Sequence, residues 1–142
     1  MHAGLDILQP LLVESGAEPL GKIIIGTVTG DLHNIGKNLV SMMLQGAGFD
    51  VVDLGIDVKP EQFVEAVHTE GADLLGLSAM LTTTMPAMKT TIDALVEAGV
   101  RDKIKVIVGG APVTSDFAKA IGADSYAADA GAAVDMVRQL LA

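Results

Sequence analysis

Five short apolar runs, each separated from the next by a longer segment with helical spacing, constrain this chain more than any other feature of its sequence. "KIIIGTV" (22–28), "DVVDLG" (50–55), "DLLGLSAM" (73–80), "IKVIVGG" (104–110) and "SYAADA" (125–130) read as strands, being short, rich in β-branched residues and bounded by turn formers. Residues 35–46, 60–69, 84–98, 115–121 and 132–141 read as helices. Pro60 suits a first helical turn, and the glycines in "QGAGF", "TEGAD", "EAGV" and "AIGAD" suit helix ends. Strands that alternate with helices form a parallel sheet covered on both faces, and the nearly continuous apolar runs are what burial on both faces requires.

Units of this number and length fit a flavodoxin-like (Rossmann-like) α/β fold, a doubly wound five-stranded parallel sheet of order 2-1-3-4-5 with right-handed crossovers. Ligands of such sheets bind beyond the C-terminal strand edges where the strand order reverses, here between the first and third strands. The loops at that rim, "TGDLHNIG" and "SAMLTTTM", are rich in hydrogen-bonding side chains. "VGGAP" after the fourth strand adds two glycines that let backbone approach a large ligand.

The chain has 142 residues, half of them apolar, enough for one domain with a sizeable core. Only three phenylalanines and one tyrosine occur, so the core is expected to be built from small aliphatic side chains. A net charge of -9 and the lack of a basic cluster argue against a nucleic-acid partner, whose phosphates need Lys and Arg. No apolar run reaches the roughly 20 residues of a membrane span, and no signal pattern opens the chain. The absence of cysteine excludes disulfides and thiolate metal sites and is compatible with the cytoplasm. Residues 1–20 stand outside the alternation. Leu5, Leu8, Leu11 and Leu12 lie in helical register before the linker "VESGAEPLG", so this stretch is expected to be the remnant of an upstream helical domain, with residues 21–142 as the ligand-binding domain of a longer protein.

"GDLHNIGKNLV" (30–40) raises the question of chemistry, because it holds one of only three histidines. Asp31 stands two residues before His33, so in an extended loop both side chains can point the same way. A carboxylate on one ring nitrogen fixes the tautomer and raises the basicity of the other, as metal-ligating histidines require. Gly36 leaves room for something bulky. One histidine cannot hold a bare zinc or iron ion, so a metal on His33 must bring its other ligands with it, as in a macrocycle. His2 and His68 read as solvated. Met42, Met43, Met85 and Met88 read as core fill, and Thr82 or Thr83 as a helix cap.

These residues carry a resemblance. Asp31-Leu32-His33-Asn34-Ile35-Gly36, then Ser78-Ala79-Met80, then Gly109-Gly110 resemble the D-x-H-x-x-G, S-x-L and G-G elements of the cobalamin-binding domain of corrinoid proteins, with methionine replacing leucine at Met80. "GDLHNIGKNLV" and "LSAMLTTTM" are most similar to the methyl-carrier group that serves methanol, methylamine or methoxyaromatic demethylation, and to the methionine synthase domain. The resemblance implies that His33 is the lower axial ligand of a cobalamin or related corrinoid, that Asp31 bonds its far nitrogen, and that Thr84 supplies the hydroxyl completing the relay. It implies that Ser78 and Thr82 bond a buried nucleotide tail, that Gly109 and Gly110 admit it where any β-carbon would collide, and that Gly30, Leu32, Ile35, Gly36 and Met80 contact the cofactor. The implied function is a methyl shuttle on cobalt, not a complete enzyme. Its implied partners are a substrate methyltransferase, an acceptor methyltransferase acting on a folate or thiol, and a reductive activase. A carbon-skeleton mutase subunit or a cobalamin-dependent sensor would share the fingerprint. A phospho-receiver domain would need paired acids, an acceptor aspartate and a lysine, where this chain has Asp31 alone, Ser78 and "ADAG".

Overall fold

A computed structural model describes residues 21–110 and 112–141; the expected helix and linker over 1–20 lie outside the described residues. The strands are β1 (Lys22–Thr27), β2 (Asp50–Asp53), β3 (Leu74–Ser78), β4 (Lys105–Gly109) and β5 (Ser125–Ala127), all parallel and ordered β2-β1-β3-β4-β5. The helices are α1 (Ile35–Gly46), α2 (Pro60–Glu70), α3 (Pro86–Glu97), α4 (Ser115–Ile121) and α5 (Ala130–Leu141). The expected order and element sequence are therefore those found. Each strand stops short of its predicted C-terminal end, because the last residues leave the ladder to build the rim loops.

Alternation along the strands divides the core. Ile24, Leu75, Val106 and Val108 face α2 and α3, where Phe63, Met88 and Leu95 are fully buried. Ile23, Ile25, Leu74 and Ile107 face α1 and α5, against Leu44 and Val137. Burying a side chain such as Phe63 contributes roughly 1.5–3 kcal/mol. Gly26 makes room for it, since a β-carbon there would lie 2.9 Å from the Phe63 ring.

Two readings of the sequence need correction. Met88 is buried and Met85 partly so, but Met42 and Met43 are 65% and 40% exposed and are not core fill. They continue an outward stripe from Ile35 and Leu39 on α1, opposite the face that Ser41 and Leu44 bury. Neither Thr82 nor Thr83 caps the third helix. Residues Thr82–Thr84 form a separate 3-10 turn, and α3 starts at Pro86 with no side-chain cap, proline having no N–H to satisfy at that place. Among the described residues no helix is long and apolar enough to cross a membrane.

Candidate functional site

The site begins in the β1–α1 loop, where Asp31 is fully buried beneath an exposed His33. Asp31 Oδ1 accepts the His33 backbone N–H at 3.1 Å and lies 2.8 Å from His33 Nδ1. Asp31 Oδ2 accepts the Met80 N–H at 2.6 Å and the Thr84 hydroxyl at 2.7 Å. Thr84 Oγ1 also lies 2.9 Å from the Leu81 carbonyl, but one hydroxyl carries one proton, and the carboxylate is the stronger acceptor. Burial opposes the charge on Asp31, yet the bonds from Met80, Thr84 and His33 outweigh it and hold the carboxyl well below the usual carboxylate range. An ionised Asp31 fixes the proton of neutral His33 on Nδ1. Nε2, on a side chain 54% exposed, keeps its lone pair.

The loop that carries His33 is tied on several sides. Thr27 Oγ1 donates to the His33 carbonyl at 2.9 Å, and the Asp31 N–H reaches the Val28 carbonyl at 3.1 Å. The Asp57 N–H reaches the Asp31 carbonyl at 3.0 Å, and Asp57 Oδ1 accepts the Gly30 N–H at 2.8 Å. Lys37, buried in the first turn of α1, donates to both Asp53 oxygens at 2.6 and 2.8 Å and to Asn38 Oδ1 at 2.6 Å.

Beside this loop a cavity of about 360 Å³ opens between the sheet and helices α1 and α5. Ile25, Gly76, Ser78, Ile107, Gly109 and Ala127 floor it from one face of the sheet. Gly36, Lys37 and Val40 form one wall, and Ala130 and Ala133 the other. The slot takes its width from Gly36, Gly76, Gly109, Ala127, Ala130 and Ala133, and its size is within the range of ligand pockets. At Gly76, between Ile25 and Ile107, an added β-carbon would meet only ordinary contacts, the nearest at 3.5 Å. At Gly36 it would meet nothing within 4 Å.

The structure brings Gly36, Ser78, Met80, Gly109 and Gly110 to the slot. It places Asp31, His33 and Thr84 in one network that reaches the slot-lining Met80 through its N–H, and Leu32 and Ile35 on the surface, 65% and 82% exposed. Gly30 is exposed in the loop, turned toward Asp57. Thr82 is exposed and does not line the slot, because the inward position of its turn belongs to Thr84. Gly110 also differs from expectation: at φ +132°, a β-carbon there would sit 1.8 Å from the Ala79 carbonyl oxygen. The backbone of Ala79, just after β3, itself excludes a side chain at Gly110. Gly76, Lys37, Asp53 and Asp57 were not singled out from the sequence. Only the apolar alternation around Gly76 gave a signal, a glycine in mid-strand marking a close approach.

The donor set fits a corrinoid. One imidazole nitrogen is available, and among the described residues no three His, Cys, Asp or Glu side chains could together hold a metal ion. The open slot is linked to that imidazole through Met80, which lines it and whose N–H bonds Asp31.

Comparison with known proteins adds a family. The B12 binding domain family matches residues 21–141. Dimethylamine corrinoid protein 3 of Methanosarcina mazei is 49% identical over 143 residues, spanning 100% of this chain and 86% of that protein. The monomethylamine corrinoid protein of Methanosarcina barkeri superposes with a TM-score of 0.79 at 39% identity, covering 96% of this chain and 65% of that one. A chain of the methanol:cobalamin methyltransferase complex from the same organism gives 0.86 at 34% identity, covering 96% and 53%. The chain thus spans less than two thirds of these two solved chains.

Proposed function

The chain belongs to the B12 binding domain family, and from that premise we propose that it binds cobalamin or a related corrinoid and carries a methyl group between two methyltransferases. The observation that carries the reading is the 2.8 Å contact of His33 Nδ1 with a buried, ionised Asp31, which leaves Nε2 free on an exposed side chain. The bound corrinoid supplies the chemistry, a cobalt centre able to accept a methyl group and give it up.

This chain's residues hold and tune that centre. His33 would hold the cobalt through Nε2. Asp31 anchors the opposite nitrogen, and Thr84 and the Met80 N–H anchor Asp31, so the imidazole keeps one orientation and one tautomer. With Nε2 not bound to a metal, the Asp31–His33 pair would be the place to hold a proton. Ser78, Met80, Gly36, Gly76 and Gly109 line the space for the nucleotide tail. Exposed Leu32 and Ile35 bracket His33 with apolar surface that a macrocycle would cover.

The similar proteins, named as dimethylamine, monomethylamine and methanol systems, support a methylamine- or methanol-type carrier over a mutase subunit or sensor. On this reading the partners are a substrate methyltransferase, an acceptor methyltransferase using a folate or thiol, and a reductive activase, all in the cytoplasm. Residues from 21 onward are the corrinoid domain.

Hydroxocobalamin added to the purified chain tests the ligation. After reduction to Co(II), electron paramagnetic resonance of protein labelled with nitrogen-15 histidine is expected to show coupling to one histidine nitrogen, lost in His33→Ala. Retention of the coupling in His33→Ala, or no corrinoid bound by the wild-type chain, overturns the reading.

A further inference from the structure

We infer that Asp57, in the loop between β2 and α2, is a positioning residue that holds the β1–α1 loop in the conformation that presents His33. The inference rests on the reading of His33 as the lower ligand. Among the described residues Asp57 is the one non-glycine residue with positive φ, at +52°. That left-handed geometry disfavours residues with a β-carbon, and such residues persist where surrounding structure over-determines them. Two bonds account for it here. The Asp57 N–H donates to the Asp31 carbonyl at 3.0 Å, and Asp57 Oδ1 accepts the Gly30 N–H at 2.8 Å. Asp57 therefore grips the loop on both sides of the peptide linking Gly30 to Asp31.

Gly30 has the complementary geometry. Its φ of +86° turns its N–H toward Asp57. Next to it, the Thr29 hydroxyl donates to the Val58 carbonyl at 2.8 Å, and the Val58 N–H donates to the Thr27 carbonyl at 2.9 Å. Those neighbouring bonds align the two loops, whereas the Asp57 carboxylate holds the N–H of Gly30, the residue just before Asp31. The exposed Asp57 side chain buries no apolar surface, so packing does not explain its backbone conformation.

Three variants separate the two bonds. Asp57→Gly adopts positive φ without strain but has no carboxylate, Asp57→Asn keeps an acceptor and tolerates the conformation, and Asp57→Ala lacks both advantages. The first readout needs no cofactor: the ring nitrogen-15 shifts of His33 in the full chain at neutral pH report the fraction protonated on Nδ1. Asp57→Gly and Asp57→Ala are expected to lower that fraction and to shift the amide signals of residues 30–33. Asp57→Asn should stay close to wild type, and thermal unfolding of Asp57→Gly should show a folded chain. The second readout is hydroxocobalamin affinity, expected to fall about tenfold in Asp57→Gly and less than about threefold in Asp57→Asn, near the low end for outer partners of a metal ligand. Wild-type ring shifts and amide positions in Asp57→Gly overturn the inference. Failure of the wild-type chain to bind hydroxocobalamin overturns the ligation reading instead, and the ring shifts still decide the role of Asp57 toward His33.

Discussion

Replacing Asp31 with asparagine removes one charge and converts one acceptor oxygen into a donor, and the geometry gives that change no harmless orientation. If the amide nitrogen takes the place of Oδ2, it confronts the Met80 N–H now bonded at 2.6 Å. Thr84 can adapt by turning its proton to the Leu81 carbonyl, 2.9 Å away, and accepting from the amide. The Met80 N–H has no such alternative. If the nitrogen takes the place of Oδ1, it confronts the His33 N–H, and the ring must accept at Nδ1, which moves its proton to Nε2. Either way a backbone N–H loses its acceptor, and the surviving bonds lose their charge assistance. Hydrogen bonds to charged groups contribute about 1.5–3 kcal/mol, and an unpaired buried donor costs about 1–3 kcal/mol.

Asp31→Asn is therefore expected to lower unfolding free energy by about 2–4 kcal/mol at pH 7, measured by urea titration. Acidification should narrow the difference. The Asp31 carboxyl titrates lower in the folded chain than the roughly 3.9 of an unfolded aspartate. Its contribution is thus complete above that value and lost as pH falls through the window below it. Wild-type stability should fall in that window more steeply than that of the variant. A variant within about 0.5 kcal/mol of wild type at pH 7, with a parallel acid profile, would refute the argument that Asp31 is ionised and fully bonded.

Two glycines of the fingerprint should behave oppositely. Gly110→Ala must displace the Ala79 carbonyl and adopt an unfavourable φ, so thermal unfolding should report a loss of about 3 kcal/mol or more before any ligand is added. Gly36→Leu sets its β-carbon in open space and replaces a helical glycine, so it should leave stability unchanged or raise it by up to about 1 kcal/mol, while filling the slot should weaken corrinoid binding roughly tenfold in a spectral titration. The Lys37–Asp53 pair should be asymmetric in urea titrations. Asp53→Ala strands an ammonium on a side chain 3% exposed and should cost about 3–5 kcal/mol, whereas Lys37→Met leaves a carboxylate 31% exposed to water and should cost about 1–2 kcal/mol.

What could be read from the sequence follows the range of the interactions that matter. Period-2 and period-3.6 patterns are local, so strand order, helix positions and the rim bearing the site were readable, and α1 begins and ends where its sequence predicts. The Asp31–His33 contact spans two residues and was readable for the same reason. The bonds that make Asp31 an anchor come from Met80 and Thr84, 49 and 53 residues away. Residue types suggested Thr84 only through the family resemblance, and nothing suggested the Met80 N–H, since a backbone donor has no sequence signature. Asp57 was invisible because its role lies in a dihedral angle and in an oxygen turned toward a backbone N–H 27 residues earlier.

The misplaced methionines have one physical cause. Met42 and Met43 were assigned to the core by hydrophobicity, yet α1 has a buried face, toward Leu44, and an apolar stripe facing away from it. Hydrophobicity reports that a residue favours a non-aqueous neighbour, and it does not report whether that neighbour belongs to the same fold. Around His33 the same reasoning inverts usefully. Leu32 and Ile35 are exposed apolar residues flanking an imidazole whose second nitrogen is already fixed by Asp31, and a ligand with a broad apolar face around a metal centre satisfies both.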